Sequence, residues 1–255
     1  MIERVLAGGG DYDLLWDLIR AIRNGFPVEN LRPMLTSDDE RVTATAAYLA
    51  YEIGSEMRPV LNELIPLAEH PGAQWRSDII IAMTECVGPD DLDALSRIML
   101  AFDDPDPFLH RAAIRFVIMA GSRSLANAIS EAAKRYPGTP FEDIYSLLRN
   151  GAGRYFSPDW SAIDEGKLRE FIEHPAPVVR RFGAGLAARP KLVVDVELLE
   201  IARNCEDEEA LRILDHIMWS PMPTEARLAK IRYLKSGSEQ REPHPARQTN
   251  ANTRR

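Results

Sequence analysis

Between residues 103 and 115 the chain reads DDPDPFLHRAAIR, which places Asp103, Asp104, Asp106, His110 and Arg111 close together. Carboxylates and an imidazole at that density can bind a divalent cation or form an acid/base pair. Either use requires several donors carried to one point. The same residue types also punctuate the approach to a helix. There a carboxylate caps free N–H groups, and proline in the first turn forfeits no hydrogen bond.

The rest of the chain favours punctuation. SDDERVT (37–43), HPGAQWR (70–76), DPDPFLH (104–110), YPGTPFE (136–142), HPAPVVR (174–180) and EDEEALR (206–212) align with one another. Their starts are 33, 34, 32, 38 and 32 residues apart. The sixth slot is apolar throughout, filled by Val42, Trp75, Leu109, Phe141, Val179 and Leu211. The seventh is Arg76, Arg180 or Arg212 in three copies, His110 in one and Thr43 in another. Asp104 therefore occupies a slot that drifts among Ser37, His70, His174 and Glu206, as a turn residue does and a metal ligand does not. His110 takes the usual arginine slot. His70 and His174 lie three copies apart, too far to share a metal. No phosphate-binding glycine loop, H-E-x-x-H or G-x-S-x-G is present, so the sequence calls for no catalytic residue, metal or cofactor.

Each turn sits between apolar patterns of helical period. MRPVLNELIPLAE (57–69) and DLDALSRIMLAF (91–102) precede turns; VTATAAYLAYEI (42–53) and LHRAAIRFVIMA (109–120) follow them. Gly54, Gly88 and Gly121 stand where glycine ends a helix. The segment 11–25 adds a helix, with Asp11 or Asp13 as its cap and Leu14, Leu15, Leu18 and Ile22 covering an open end. A single helix–turn–helix unit at this spacing cannot bury both apolar faces, but stacked units share a continuous core.

The segments DPDPFLHRAAIRFVIMAG and HPAPVVRRFGAGLAA resemble HEAT repeats, in which the second helix opens on Asp-Pro with Val-Arg further on. The resemblance spans about residues 25 to 220. It implies an all-α fold, an α-solenoid of about six antiparallel helix pairs in a right-handed superhelix, with the second helix of each pair on the concave face. Residues 1–235 form one such domain, with 149–163 as an inserted loop. The tail 236–255 has almost no apolar side chains and is expected to be disordered.

Offsets of +2, +6 and +9 from the sixth slot point away from the core. They include Tyr48, Tyr51, Ile81, Arg111, Arg115 and Arg181, and neighbouring offsets add Glu52, Asp78, Glu85 and Arg149. Aromatic and arginine residues on such a face mark a protein-binding patch. The inserted loop adds Arg154, Tyr155, Phe156 and Trp160, and loops are common carriers of function.

Charge narrows the partner. The chain carries a net charge of −8, and the tail alone is basic. An acidic body disfavours phosphate backbones and suits a basic protein. The N-terminal MIERVLAGGG lacks a signal-peptide pattern, apolar runs such as IIIAM (79–83) are short, and the two cysteines are far apart. The expectation is a cytoplasmic protein with free thiols and no membrane span. GFPVENLRPML, VTATAAYLAYEIG and IPLAEHPGAQWR resemble small bacterial HEAT-like immunity proteins, which implies masking of a basic toxin domain without chemistry. The runner-up is a HEAT-like DNA glycosylase acting on alkylated bases. It would assemble Arg111, Arg115, Arg149, Arg181, Trp160 and Asp164 into a basic groove.

Overall fold

The structure is a computed structural model that describes residues 2–3, 12–70, 74–149, 156, 158, 160, 163–189 and 196–218. Two units divide the chain, Met1–Met218 and Trp219–Arg255. The second unit, with the tail from Ser236, lies outside the described residues.

The first unit is all-helical, and no strand occurs among the described residues. Its α-helices are α1 (Tyr12–Arg23), α2 (Arg32–Leu35), α3 (Glu40–Ile53), α4 (Leu61–Ala68), α5 (Arg76–Cys86), α6 (Leu92–Leu100) and α7 (Pro107–Met119). They continue as α8 (Ser122–Arg135), α9 (Pro140–Leu148), α10 (Glu165–Ile172), α11 (Pro177–Ala187), α12 (Val196–Ala202) and α13 (Glu208–Met218). Short 3₁₀ turns at Val28–Leu31, Gly54–Val60 and Arg203–Cys205 join some of them. No helix among the described residues is long and apolar enough to cross a membrane.

Three of the six turns share one local mechanism. The opening side chain accepts the backbone N–H two residues on: Ser37 from Asp39, Asp104 from Asp106, and His174 from Ala176. The side chain six positions later reaches back to the carbonyl of the same opening residue. Thr43 donates to Ser37 at 2.9 Å, His110 Nε2 to Asp104 at 2.6 Å, and Arg180 to His174 at 3.0 Å. A carbonyl only accepts, so His110 carries its proton on Nε2. Serine, aspartate and histidine are interchangeable in the first slot because each offers an acceptor at short reach. Threonine, histidine and arginine share the seventh because each offers a donor. Asp39 and Asp106 then cap α3 and α7 by accepting from Arg41 and Phe108. The other copies depart from this: Arg76 of the second goes to Asp104, the fourth carries Glu142 in the seventh slot, and in the sixth Glu206 is left-handed at φ 59° and Arg212 pairs with Glu208 and Glu209.

The sixth-slot side chains Val42, Trp75, Leu109, Phe141 and Val179 are buried, and Leu211 is partly buried. They belong to one continuous apolar core that runs through the unit. Leu18, Ile19 and Ile22 of α1 join it where α1 packs on α3, and Leu14 and Leu15 pack against its edge. Of the three expected stop glycines, only Gly54 has positive φ, at 65°. The helices before Gly88 and Gly121 instead end on extended residues, Val87 and Ala120. Cys86 and Cys205 are free and buried, and burial pushes the Cys86 thiol up to about 11.

Helix neighbours follow chain order at first and then depart from it. One row runs α3, α5, α7, and a second runs α2, α4, α6, α8. The next member of the first row should be α9, the degraded copy at 136. Instead α11 and α13 pack on α7, while α9 packs on α8 and α11. Gly185 marks the close approach of α11 to α7, because a Cβ there would sit 3.1 Å from Val117 Cβ. Arg189 fixes the same junction by donating to the carbonyls of Val117 and Ala120.

Candidate functional site

The α3–α5–α7 face carries an open cavity of about 390 Å³. Tyr51 enters it from α3, and Ser77, Asp78 and Ile81 from α5. From α7 come Phe108, Arg111, Arg115 and Ile118, and from α13 comes Ile213. Tyr51 is 38% exposed and Phe108 58%, high values for large apolar side chains. The size lies near the lower end of ligand-pocket volumes, which start at about 300 Å³.

Helical period explains who shares this face. Positions three, four and seven apart lie on one side of a helix, so Phe108, Arg111, Arg115 and Ile118 line up along α7. The same rule aligns Ser77, Asp78 and Ile81 on α5. Sequence reasoning found Tyr51, Asp78, Ile81, Arg111 and Arg115, and the structure brings all five to one cavity. It missed Phe108, although the i, i+3, i+7 series 108–111–115 carries the signal. It also missed Ile213, which no single-repeat pattern could place.

Charge is unevenly matched across the cavity. Arg115 donates to Glu85 Oε1 at 2.7 Å, joining α7 to α5. Arg111 is exposed and has no ion-pair partner among the described residues. Asp78 is half-buried and likewise unpaired among them. Burial raises the Asp78 carboxyl above its ordinary value, and the negative charge of Glu52 adds to the rise. The folded state therefore holds a proton to higher pH than the unfolded chain does. This makes stability fall as pH rises from the ordinary carboxylate range through the raised value. Asp78→Asn is accordingly expected to raise the melting temperature at pH 7, with the gain vanishing below about pH 4. Thermal unfolding of the two proteins across that range measures it.

The other predicted positions go elsewhere. Tyr48 and Glu52 lie on α3 but do not line the cavity; both are partly buried, and the Glu52 carbonyl accepts from Arg23. Arg181 does not line the cavity either. It shares the outward offset of Arg111, yet its side chain is only 17% exposed and its Nε donates to Asp207 Oδ2 at 2.6 Å. A second donor of Arg181 reaches the Phe102 carbonyl, so the side chain ties α11 to the turn before α7 and to the start of α13. His110 Nδ1 lies 3.6 Å from the same Asp207 carboxylate. The opening cluster therefore resolves into a turn clasp and an inter-helix junction, with Arg76 held on Asp104. Among the described residues no three His, Cys, Asp or Glu side chains gather to hold a metal.

Two aromatic side chains of the inserted loop, Phe156 and Trp160, are among the described residues. Phe156 stacks on Tyr145 of α9 at 4.3 Å between centroids, and Arg189 sits 5.4 Å from the Trp160 ring centroid. Neither aromatic lines the cavity. Arg154 and Tyr155 lie outside the described residues, and Arg149 is exposed just past α9. Asp164 caps α10 by accepting from Lys167. Of the residues named for the runner-up reading, Arg111 and Arg115 line the cavity, with Arg115 paired to Glu85, while Arg149, Arg181, Trp160 and Asp164 do not line it. Compared with known proteins, the chain matches no family model, no curated protein and no solved structure.

Proposed function

We propose that this chain is a non-catalytic binding protein: an α-solenoid of about six helix pairs, right-handed, whose concave face is the α3–α5–α7 surface. A protein partner docks there. One observation carries the reading, namely exposed Phe108 and Tyr51 beside unpaired Arg111 in a single shallow cavity. Aromatic and arginine side chains around a partly apolar cleft are the composition of binding hot spots. The partner best suited to the acidic body is a basic domain, since opposite net charge speeds encounter. An immunity-type role, masking a basic bacterial toxin domain by occlusion in the cytoplasm, joins these features.

The test is co-purification with the product of the adjacent gene, using the full chain and the variant Phe108→Ala/Arg111→Glu. Loss of a hot-spot aromatic costs about 2 kcal/mol, so the variant should bind at least about 30-fold more weakly. Co-expression with that gene product should restore growth for the wild type and fail for the variant. Equal binding by the two proteins would remove the α3–α5–α7 face from the reading.

A further inference from the structure

The cavity on the α3–α5–α7 face has an internal charge imbalance that specifies what enters it. Asp78 stands in its α5 wall as a half-buried carboxylate, with no ion-pair partner among the described residues. The neighbouring charge acting on Asp78 is a second carboxylate, Glu52, which makes the position poorer still for an anion. Of the two cations lining the cavity, Arg115 is already paired with Glu85 across the α5–α7 boundary. Arg111 shares the cavity with Asp78 but does not pair with it.

A half-buried carboxylate held without a counterion is an unfavourable arrangement unless a ligand supplies one. The walls beside it are aromatic and aliphatic. Tyr51 and Phe108 line it with aromatic side chains, and Ile81 lines it with an aliphatic one against which a methylene stem can pack. A carboxylate, aromatic side chains and an apolar wall together match a long cationic side chain, whose stem packs while its head pairs. Guanidinium fits better than ammonium, because it is planar, stacks on rings and is weakly hydrated.

We propose that this cavity is an arginine-accepting pocket, in which Asp78 is the counterion for a guanidinium presented by the partner and Tyr51 and Phe108 flank its stem and head. Arg111, on the opposite side, then meets a carboxylate of the partner next to that arginine. This rests on the reading of the face as a docking surface. It adds the partner's anchor residue and the sequence context around it, a basic residue close to an acidic one.

The experiment uses the ¹⁵N-labelled full chain and a small probe, Nα-acetyl-arginine methylamide, followed by amide chemical shifts. Its uncharged isostere Nα-acetyl-citrulline methylamide serves as the control. The arginine probe should saturate with a Kd of about 1–10 mM, a single-side-chain affinity. The moved amides should be those of residues 77–81 and 108–111. Citrulline should bind at least about fivefold more weakly. Asp78→Asn should weaken arginine binding at least as much, whereas Arg111→Gln should leave it unchanged or strengthen it by removing a competing cation. Equal response to the two probes, or arginine binding unchanged in Asp78→Asn, would overturn the assignment. So would equal weakening by Arg111→Gln. Failure of this pocket leaves the docking face to be decided by the Phe108→Ala/Arg111→Glu co-purification, so the two ideas fail separately.

Discussion

Gly183→Val should lower the stability of the protein by about 3 kcal/mol, a fall in melting temperature of roughly 6–12 °C. Gly183 lies in α11 where that helix crosses α10. A Cβ added at this position would stand 2.6 Å from Phe171 Cβ, 3.3 Å from Ile172 Cδ1 and 3.4 Å from Phe171 Cγ. The nearest of these is fixed to the backbone and cannot swing aside. Helix propensity works in the opposite direction, favouring alanine over glycine by about 1 kcal/mol. At 2.6 Å the steric term wins, so even Gly183→Ala should destabilise, by about 1–2 kcal/mol. Valine adds two methyl groups to a site whose neighbours Phe171 and Phe182 are fully buried. Gly166→Ala, in α10 itself, is the matched control. Its Cβ would meet nothing nearer than 3.5 Å, and its stability should stay within about 0.5 kcal/mol of the wild type. Thermal unfolding of the three variants decides the matter. A Gly183→Val protein as stable as the wild type would mean that α10 and α11 are not in contact as described.

The second large effect is expected at Asp207. Its carboxylate accepts from Arg181 Nε at 2.6 Å, lies 3.6 Å from His110 Nδ1, and accepts the Ala210 N–H at the start of α13. The Asp207 and Arg181 side chains are 11% and 17% exposed. Breaking a buried ion pair on one side leaves an uncompensated charge and costs about 3–5 kcal/mol. Residual exposure brings the expectation for Asp207→Ala to about 2–4 kcal/mol. Asp207→Asn keeps an acceptor for Ala210 and should lose less. Arg181→Met removes the stranded charge as well, so the double variant Asp207→Ala/Arg181→Met should be more stable than the sum of single losses predicts, by at least about 1 kcal/mol. Hydrogen exchange should show the loss concentrated in α13 and the turn before it. If Asp207→Ala costs under about 0.5 kcal/mol, this junction does not hold α13 to α7.

These two sites mark where sequence reading succeeds and where it stops. The turn clasp was legible because its chemistry is local. An acceptor in the first slot and a donor in the seventh recur in one stretch of chain, and substitutions that keep those roles keep the shape. The cavity residues on α3, α5 and α7 were legible because a helix of known phase fixes which positions share a face. Tyr51, Ile81, Arg111 and Arg115 follow from offsets alone. Arg181 has the same offset as Arg111 and a different fate. Its helix packs on α7 with an acidic residue of the next turn within reach, and that depends on which helices become neighbours. Ile213 reaches the cavity for the same reason. Helix neighbours are set by summed packing over the whole unit, to which the 38-residue spacing gave only a hint that register changes there. The loop aromatics Phe156 and Trp160 illustrate a related limit. Composition marks them as unusual but cannot say whether a ring faces a partner or closes a gap.

The placement of α11 on α7, past α9, has a consequence for how the molecule is made. In an array where each unit touches only the next, stability accumulates unit by unit and folding can follow synthesis. Here the outer side of α7, including Ile114 and Val117, waits for residues near Gly185, and Arg181 and Arg189 close contacts across 79 and 72 positions. At about 5–20 residues per second the ribosome needs roughly 3–15 seconds to supply that cover. During that interval the first three turns can be formed while an apolar helix face stands open at the growing end. The late helices cover that face, so the unit is expected to behave as one cooperative body. Chains stopped between α9 and α11 therefore carry the aggregation hazard, while the complete unit should unfold in a single step.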